Sequence, residues 1–388
     1  MSSSAATGRP AAGIELSREQ GLLLEIAART VRERWPIERV REHLETEGRG
    51  EAAEALEREI AELGWYGIAI AEEHGGAGQG VADLVPLVEP LGRHLVGGPF
   101  VATQIAAAAL GAAQDTGLQA HWLPRIAEGQ PLALALFEGD GSWDLDEPAC
   151  ALRREPDGSL RLVGEKQFVT DLGSAAGLLV SARGEEGPAL VVLEHHQLDG
   201  VERTPEVVID LTRRSTTVRF DALAVPGDQA IVGAPALAAL RSAQEAAWLL
   251  HAAEACGGLQ GVLDVIVDYL RSRRQFGRTI GSYQSLKHPT VDLLIGLERA
   301  RSLLYHAATV ISRPESSAAE RETALRMAKA AACEAFADAG DRAIQFHGGV
   351  GFTWECDAQL YLRRALWLNA QWGDPLHHRR RLAGLLLA

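Results

Sequence analysis

Several classes of protein are excluded by what this chain lacks. It has four cysteines, Cys150, Cys256, Cys333 and Cys356, and none forms a Cys-x-x-Cys pair. Scattered through 388 residues, they read as reduced, packed thiols of a cytosolic protein. No stretch supplies the roughly 18 consecutive apolar residues that a membrane-spanning helix needs. The opening MSSSAATGRPAAG has no charged-then-apolar signal pattern and reads as a disordered lead-in over residues 1–13. Positive charge is also short: 38 Lys and Arg against 52 Asp and Glu leave a net charge of −14. That balance argues against nucleic acid and anionic lipid as partners, since both are bound through phosphate neutralisation. There is no repeat of fixed period, and no ligand set with metal-binding spacing is evident.

The chain does have a large apolar fraction, 47% of residues, in three zones of different rhythm. Residues 14–131 carry helical periodicity. Ser17 and Gln20 make a capping box before LLLEIAARTV, and EAAEALEREIAELG runs from Glu51 to a terminating Gly64. Pro86 and Pro90 predict a broken or kinked helix between them. Residues 132–230 hold short strand-like runs, LALALFEG, RLVG, KQFVT, LLVSAR, ALVVLE and TTVRF, separated by turns such as EPDGS and GEEGP. Close spacing without intervening helices predicts an antiparallel sheet or barrel. Residues 231–388 return to long helices, at about 235–275, 284–312, 317–346 and 356–386, with a second capping box at Ser317 and Glu320. Four helices with short connections predict a bundle. The fold expected is therefore α+β, mostly α.

Two glycine clusters differ in promise. HGGAGQG at 74–80 lacks the G-x-G-x-x-G spacing, and prolines follow where a binding helix should run, so it reads as a structural loop. QFHGGVGF at 345–352 lies between two long helices where one glycine would suffice. It reads equally as a plain turn or as a place where another backbone or a ligand comes close. YLRSRRQFG at 269–277 ends a long helix with arginines beside an aromatic ring. A solvated helix end and the binding of a flat-ringed anion are both open there.

Together, ELGWYGIAIAEEHGGAG at 62–78, GEKQFVTDLGSAAGLLVSAR at 164–183, YLRSRRQFGRTIGSYQSLKH at 269–288 and AIQFHGGVGFTWECDAQLYLRRA at 343–365 resemble the acyl-CoA dehydrogenase family. Among its members the chain looks most like actinobacterial ones acting on steroid side chains or other bulky acyl-CoAs. The resemblance implies an N-terminal helical domain, a central β-barrel and a C-terminal four-helix bundle. It also implies α,β-desaturation of an acyl-CoA thioester with FAD as hydride acceptor and an electron-transfer flavoprotein as onward acceptor. In the family the Arg-x-x-Phe-Gly step binds FAD across a subunit interface. By that resemblance Arg273 pairs with the diphosphate, Phe276 packs on the adenine, and Gln275 and Gln284 lie on the cofactor path. Gln345, Gly348 and Gly349 pass close to the other subunit's FAD. Phe168 and Thr170 fall where the family packs an aromatic, usually tryptophan, against the flavin and hydrogen-bonds it. FEGDGSWD at 137–144 keeps only part of the family's flavin-holding loop, with Glu138 and Ser142 retained and Trp143 inserted before Asp144.

The catalytic base departs from the family pattern. The common glutamate position falls on Trp372 and the alternative one on Ala247. Nearby carboxylates are Asp374, which reads equally as a helix cap, and Glu245, roughly 200° around the helix from Ala247. Glu254 shares the Ala247 face about 10 Å along the axis and reads as a polar residue near the flavin or the partner of an arginine. His251 shares that face too and reads as a core histidine or a group near the substrate. Three functions therefore stand open: a dehydrogenase with a displaced base, a degenerate subunit completing a partner's FAD site in a homo- or hetero-oligomer, and a related flavin oxidase or monooxygenase. A non-enzymatic helical scaffold would leave the arginine–aromatic step unexplained.

Overall fold

A computed structural model describes residues 16–46 and 50–387. The lead-in expected over residues 1–13 lies outside the described residues. Along the chain run helices α1 (Arg18–Arg34), α2 (Ile37–Glu45), α3 (Glu51–Glu62), α4 (Val85–Arg93), α5 (Phe100–Ala112) and α6 (Thr116–Ala127). Strands β1 (Leu132–Ala135), β2 (Ala151–Arg154), β3 (Leu160–Thr170), β4 (Gly177–Gly184), β5 (Gly187–Glu194), β6 (Glu202–Glu206), β7 (Ser215–Val225) and β8 (Ala230–Val232) follow. Then come α7 (Ala234–Ser272), a ribbon of β9 (Arg274–Gln275) and β10 (Arg278–Thr279), α8 (Gln284–Ile311), α9 (Ala318–His347), α10 (Ala358–Ala370) and α11 (Pro375–Leu387).

Contacts divide the chain into two compact units. One holds the described residues up to Glu45, Ala82–Val96 and the chain from Trp248 onward; the other holds Thr46–Val81 and Gly97–Ala247. Local signals were obeyed closely. Ser17 and Gln20 exchange the two capping-box bonds at the start of α1, and Ser317 and Glu320 do so for α9. Gly64 takes a left-handed conformation just past α3. The HGGAGQG segment is a structural loop that folds back on GIAIA: Ala77 N–H donates to Gly67, Gly78 to Ile70 and Gln79 to Ile68. The Pro86/Pro90 segment is less disrupted than expected. Pro86 sits in the first turn of α4, where no intrahelical donor is needed, and the helix runs on through Pro90 to Arg93.

In the second unit the expected barrel is an open sheet. The order is β6-β7-β3-β2-β4-β5-β8, with β1 paired beside β4, so among the described residues β6 and β8 are unjoined edges. Pro205 on β6 explains one edge, because proline has no N–H for a further neighbour. The sheet is also not wholly antiparallel, since β1 runs parallel to β4. RLVG and KQFVT merge into the single strand β3, interrupted by register shifts against β7. Leu162, Leu178, Val180, Val191, Leu193 and Val218 are fully buried in the sheet's core.

In the first unit α4 and α7 cross at backbone contact. A Cβ on Gly92 would lie 2.1 Å from the Glu254 carbonyl oxygen, and one on Gly257 only 1.9 Å from that of Glu89. Buried ion pairs fix the surrounding helices. Glu89 accepts from the Arg301 guanidinium at 2.9 Å and the Tyr305 hydroxyl at 3.1 Å. Arg364, fully buried on α10, donates to Glu254 on α7 at 2.5 Å and to the carbonyls of Val96 and Leu95, each at 3.2 Å. This decides the two readings of Glu254: it is the partner of an arginine. The helix expected over 356–386 is two helices, because Trp372 and Gly373 both adopt positive φ and Asp374–Pro375 restarts the chain as α11. No helix among the described residues is long and apolar enough to cross a membrane.

Removing one member of the Glu254–Arg364 pair strands a buried charge. Arg364→Met should cost about 3–5 kcal/mol of unfolding free energy in urea titrations, and the double change Glu254→Leu/Arg364→Met should recover a substantial part of it.

Candidate functional site

The site begins where α7 runs out. The Arg273 N–H closes the last helical turn on Tyr269, and its carbonyl accepts from Ile280, which closes the β9–β10 ribbon. Phe276 (φ 51°) and Gly277 (φ 81°) form the two-residue loop, the paired positive-φ arrangement of a type I′ hairpin. Glycine takes this conformation freely, but phenylalanine does so at a cost of about 1–3 kcal/mol. The consequence is an aromatic ring held at the ribbon tip, 90% exposed. Arg278 lies over the Tyr283 ring at 3.9 Å and steadies the ribbon's return into α8. The exposed Arg273 guanidinium makes no ion pair with any described residue.

Opposite the ribbon lies the end of α9. His347 is buried and stacks on Tyr269 with ring centres 4.1 Å apart. Its Nδ1–H donates to the Ala343 carbonyl at 2.7 Å. The glycines that follow have different causes. Gly351 is required by packing, as a Cβ there would lie 2.3 Å from the Ile344 oxygen. Gly348 is required by its φ of 62°. Gly349 is required by neither, and open space surrounds it. An open cavity of about 450 Å³ separates the two elements, lined by Tyr269, Arg273, Gln275, Phe276, Tyr283, Phe346, His347 and Gly348 among others. Gln284, Gln345 and Gly349 each adjoin a lining residue in sequence without lining it themselves.

In the second unit Phe168 projects from a bulge on β3. Gln167 and Phe168 stand between the pairs Lys166–Val218 and Val169–Thr216, two residues against one. Phe168 has φ 56° and is 43% exposed; Thr170 pairs with Ser215 at the strand's end. Glu206 on β6 accepts from the Phe168 N–H and from the hydroxyls of Ser215 (2.6 Å) and Thr217 (2.5 Å). Glu138 is occupied by the fold: it accepts from fully buried Lys166 at 2.6 Å and from the Ala149 and Cys150 N–H groups. The exposed Ser142 joins a ladder of turns, donating its N–H to Asp140 and accepting from that of Asp144.

Neither base position offers a carboxylate to a ligand. Ala247 is fully buried and Trp372 is 5% exposed. The Trp372 loop is pinned from several sides. The Trp248 indole N–H donates to the Trp372 carbonyl at 3.0 Å, and fully buried Lys329 donates to the carbonyls of Leu368 and Gly373. Arg326 lies over the Trp248 ring at 4.1 Å and contacts His378 at 3.2 Å. Asp374 caps α11, accepting from the His377 N–H at 2.6 Å. Glu245 sits half-buried on α7 with contacts of its own, and His251 is buried, tilted against Trp367 with ring centres 6.3 Å apart.

Residues 17–130 match the family model described as acyl-CoA dehydrogenase, N-terminal domain, and residues 241–383 match acyl-CoA dehydrogenase, C-terminal domain. The chain is 30% identical over 367 residues to the acyl-CoA dehydrogenase IpdE2 of Mycolicibacterium smegmatis, covering 95% of this chain and 98% of that protein. The chain belongs to the acyl-CoA dehydrogenase family. It is also 32% identical over 328 residues to acyl-CoA dehydrogenase FadE12 of Mycobacterium tuberculosis, covering 81% of this chain and 82% of the relative. Among solved structures, a Tcur3481–Tcur3483 steroid ACAD variant is similar at TM-score 0.82 and 28% identity, covering 95% of this chain and 98% of the other. The ChsE4–ChsE5 complex from Mycobacterium tuberculosis shares the fold at TM-score 0.85 and 23% identity, covering 96% and 98%.

Members of this family are flavoproteins and oxidoreductases. The first unit's cavity fits a cofactor with a flat ring and a diphosphate: it combines a guanidinium with no ion pair among the described residues, a presented aromatic ring and, in its lining, Gly348, where a Cβ would meet open space. Sequence reasoning missed Tyr283 and Phe346 in the lining, since single aromatics give no signal beside core residues. It also missed Glu206, whose partners are distant in sequence.

Two histidines make the fold acid-sensitive. Burial, with Arg93 nearby, lowers the His94 pKa to about 4; burial, with Lys329 and Arg326 nearby, lowers that of His378 to about 2. Both lie below the ordinary 6.5. The unfolded chain therefore binds more protons below that pH, and stability falls as pH drops. Burial and the Asp171 carboxylate raise Glu57 to about 7, which acts with opposite sign between 4.5 and that value. A His378→Gln variant should lose up to about 1.4 kcal/mol per pH unit of this slope below pH 6.5, read from urea midpoints across a pH series.

Proposed function

We propose that this chain is a subunit of an FAD-dependent acyl-CoA dehydrogenase, and that it contributes an FAD clamp to a partner chain which carries the catalytic base. The observation that carries the reading is the contrast between two places. The ribbon end presents Arg273 and Phe276 unoccupied by the chain's own contacts, whereas the Trp372 loop is filled and pinned. The forked donors of Arg273 suit a diphosphate, and Phe276 offers a face to the adenine. Gln275, Gln284 and Gln345 supply hydrogen-bonding groups around it, while Gly348 and Gly349 admit close approach. Phe168 and Thr170 form a second shelf for a flavin ring, with Ser142 on a neighbouring loop.

FAD, when bound, supplies the hydride acceptor for α,β-desaturation of an acyl-CoA thioester. That reaction also needs a carboxylate placed out of water to take the α-proton. Asp374 is committed to capping α11, and Glu245 lies far around the helix from the alternative position. The proton therefore goes to a group on the partner. A paired steroid ACAD such as Tcur3481–Tcur3483 supports a two-chain assembly and a bulky acyl group. An electron-transfer flavoprotein completes the reading as acceptor, in the cytoplasm.

Purified with its partner, the protein should be yellow, and Arg273→Ala should lose most of its flavin, measured by visible absorbance per chain. Full flavin occupancy in that variant would overturn the clamp. The chain alone should show no dye-linked desaturation. A chain active alone, with turnover lowered by Glu245→Gln or Asp374→Asn, would replace this reading with that of a displaced base.

A further inference from the structure

We infer that Glu206 is a positioning residue: it holds the Phe168 bulge open and sets the electrostatics at the aromatic shelf. The electrostatic half rests on the reading that Phe168 faces a flavin; the positioning half stands on the chain alone. Glu206 lies on the edge strand β6 and reaches past β7 to β3. The Phe168 N–H sits 3.3 and 3.2 Å from its two carboxylate oxygens. That N–H lies in the bulge, where a regular ladder acceptor on β7 is lost. An amide can only donate, so Glu206 acts as acceptor there. Ser215 and Thr217 hold the carboxylate in place at 2.6 and 2.5 Å. Three β7 and β3 groups thus converge on one side chain, and the result is a phenylalanine kept at φ 56° with its ring toward solvent.

A fixed negative charge beside that ring has a consequence for a flavin packed on it. Reduction adds electrons, and a nearby carboxylate disfavours the more negative state. Glu206 therefore lowers the midpoint potential of a flavin on this shelf. This matches a subunit whose own shelf is not the principal electron acceptor.

Two variants separate the parts. Glu206→Ala removes both the acceptor and the charge. In flavin-free protein, hydrogen exchange at the Phe168 amide should speed up at least tenfold relative to wild type. Unchanged exchange would overturn the positioning role. Glu206→Gln keeps an acceptor but removes the charge. Its amide should stay protected, while the midpoint potential of flavin-loaded protein should rise. A tenfold change in the reduced-to-oxidised ratio corresponds to about 30 mV for a two-electron couple. An unmoved potential in Glu206→Gln would sink the electrostatic role. A wild-type preparation with no flavin would remove that half through failure of the cofactor reading, and the exchange measurement would still decide the other.

Discussion

The first unit is organised around a guanidinium that has no access to water. Arginine cannot shed its charge by giving up a proton, so burying Arg364 obliges the fold to surround it with acceptors. Glu254 supplies one from α7, and the Leu95 and Val96 carbonyls supply others from the turn after α4. Three segments distant in sequence are thereby fixed to one point. Each of the two places contrasted in the proposed function is a continuation of a helix fixed there. α7 runs on from Glu254 to the ribbon that carries Arg273 and Phe276. α10 runs on from Arg364 to the loop that carries Trp372. The glycine crossing of α4 and α7 adjoins the same point, since Gly92 lies against the carbonyl of Glu254 itself.

How much of this was legible depends on how local the signal is. The capping boxes at Ser17 and Ser317, the terminal Gly64 and the structural loop at 74–80 each rest on a few adjacent residues, and they were readable. The ribbon tip was readable as a motif because arginine, phenylalanine and glycine sit within five positions. Sheet closure was not, because it depends on which edges find partners, and strand-length runs do not specify that. Pro205 was the one local hint of an edge. The break at Trp372 shows competing signals: Gly373, Asp374 and Pro375 spell a helix restart, but apolar periodicity on both sides suggested one continuous helix. Glu206 was out of reach, since nothing in ERTPE indicates that its last side chain reaches past one strand to the next.

The two aromatic presentations share a physical device. Phe168 and Phe276 both hold positive φ, where a side chain costs backbone energy, and both rings remain substantially exposed. A fold gains nothing within itself from straining a residue to put an apolar ring in water. The neighbours over-determine each conformation: Glu206 at the bulge, and the Arg273–Ile280 and ribbon pairings at the tip. Strain maintained in that way at two exposed rings is consistent with the flavin contacts proposed for them.

In the proposed reading, the loss of the base and the survival of the clamp follow from different physical demands. A general base needs a carboxylate withdrawn from water yet left with an unpaired lone pair, and that state is costly to keep in a folded chain. At Trp372 the cost has been removed. The indole is buried, the loop's carbonyls are taken by Trp248 and Lys329, and the next carboxylate caps a helix. Arg273 faces no such cost, because an exposed guanidinium is well solvated until a phosphate arrives. On that reading, a chain released from abstracting a proton can relax its interior site without disturbing its surface one. The reverse loss, of the clamp with retention of the base, would leave a strained carboxylate with no cofactor beside it.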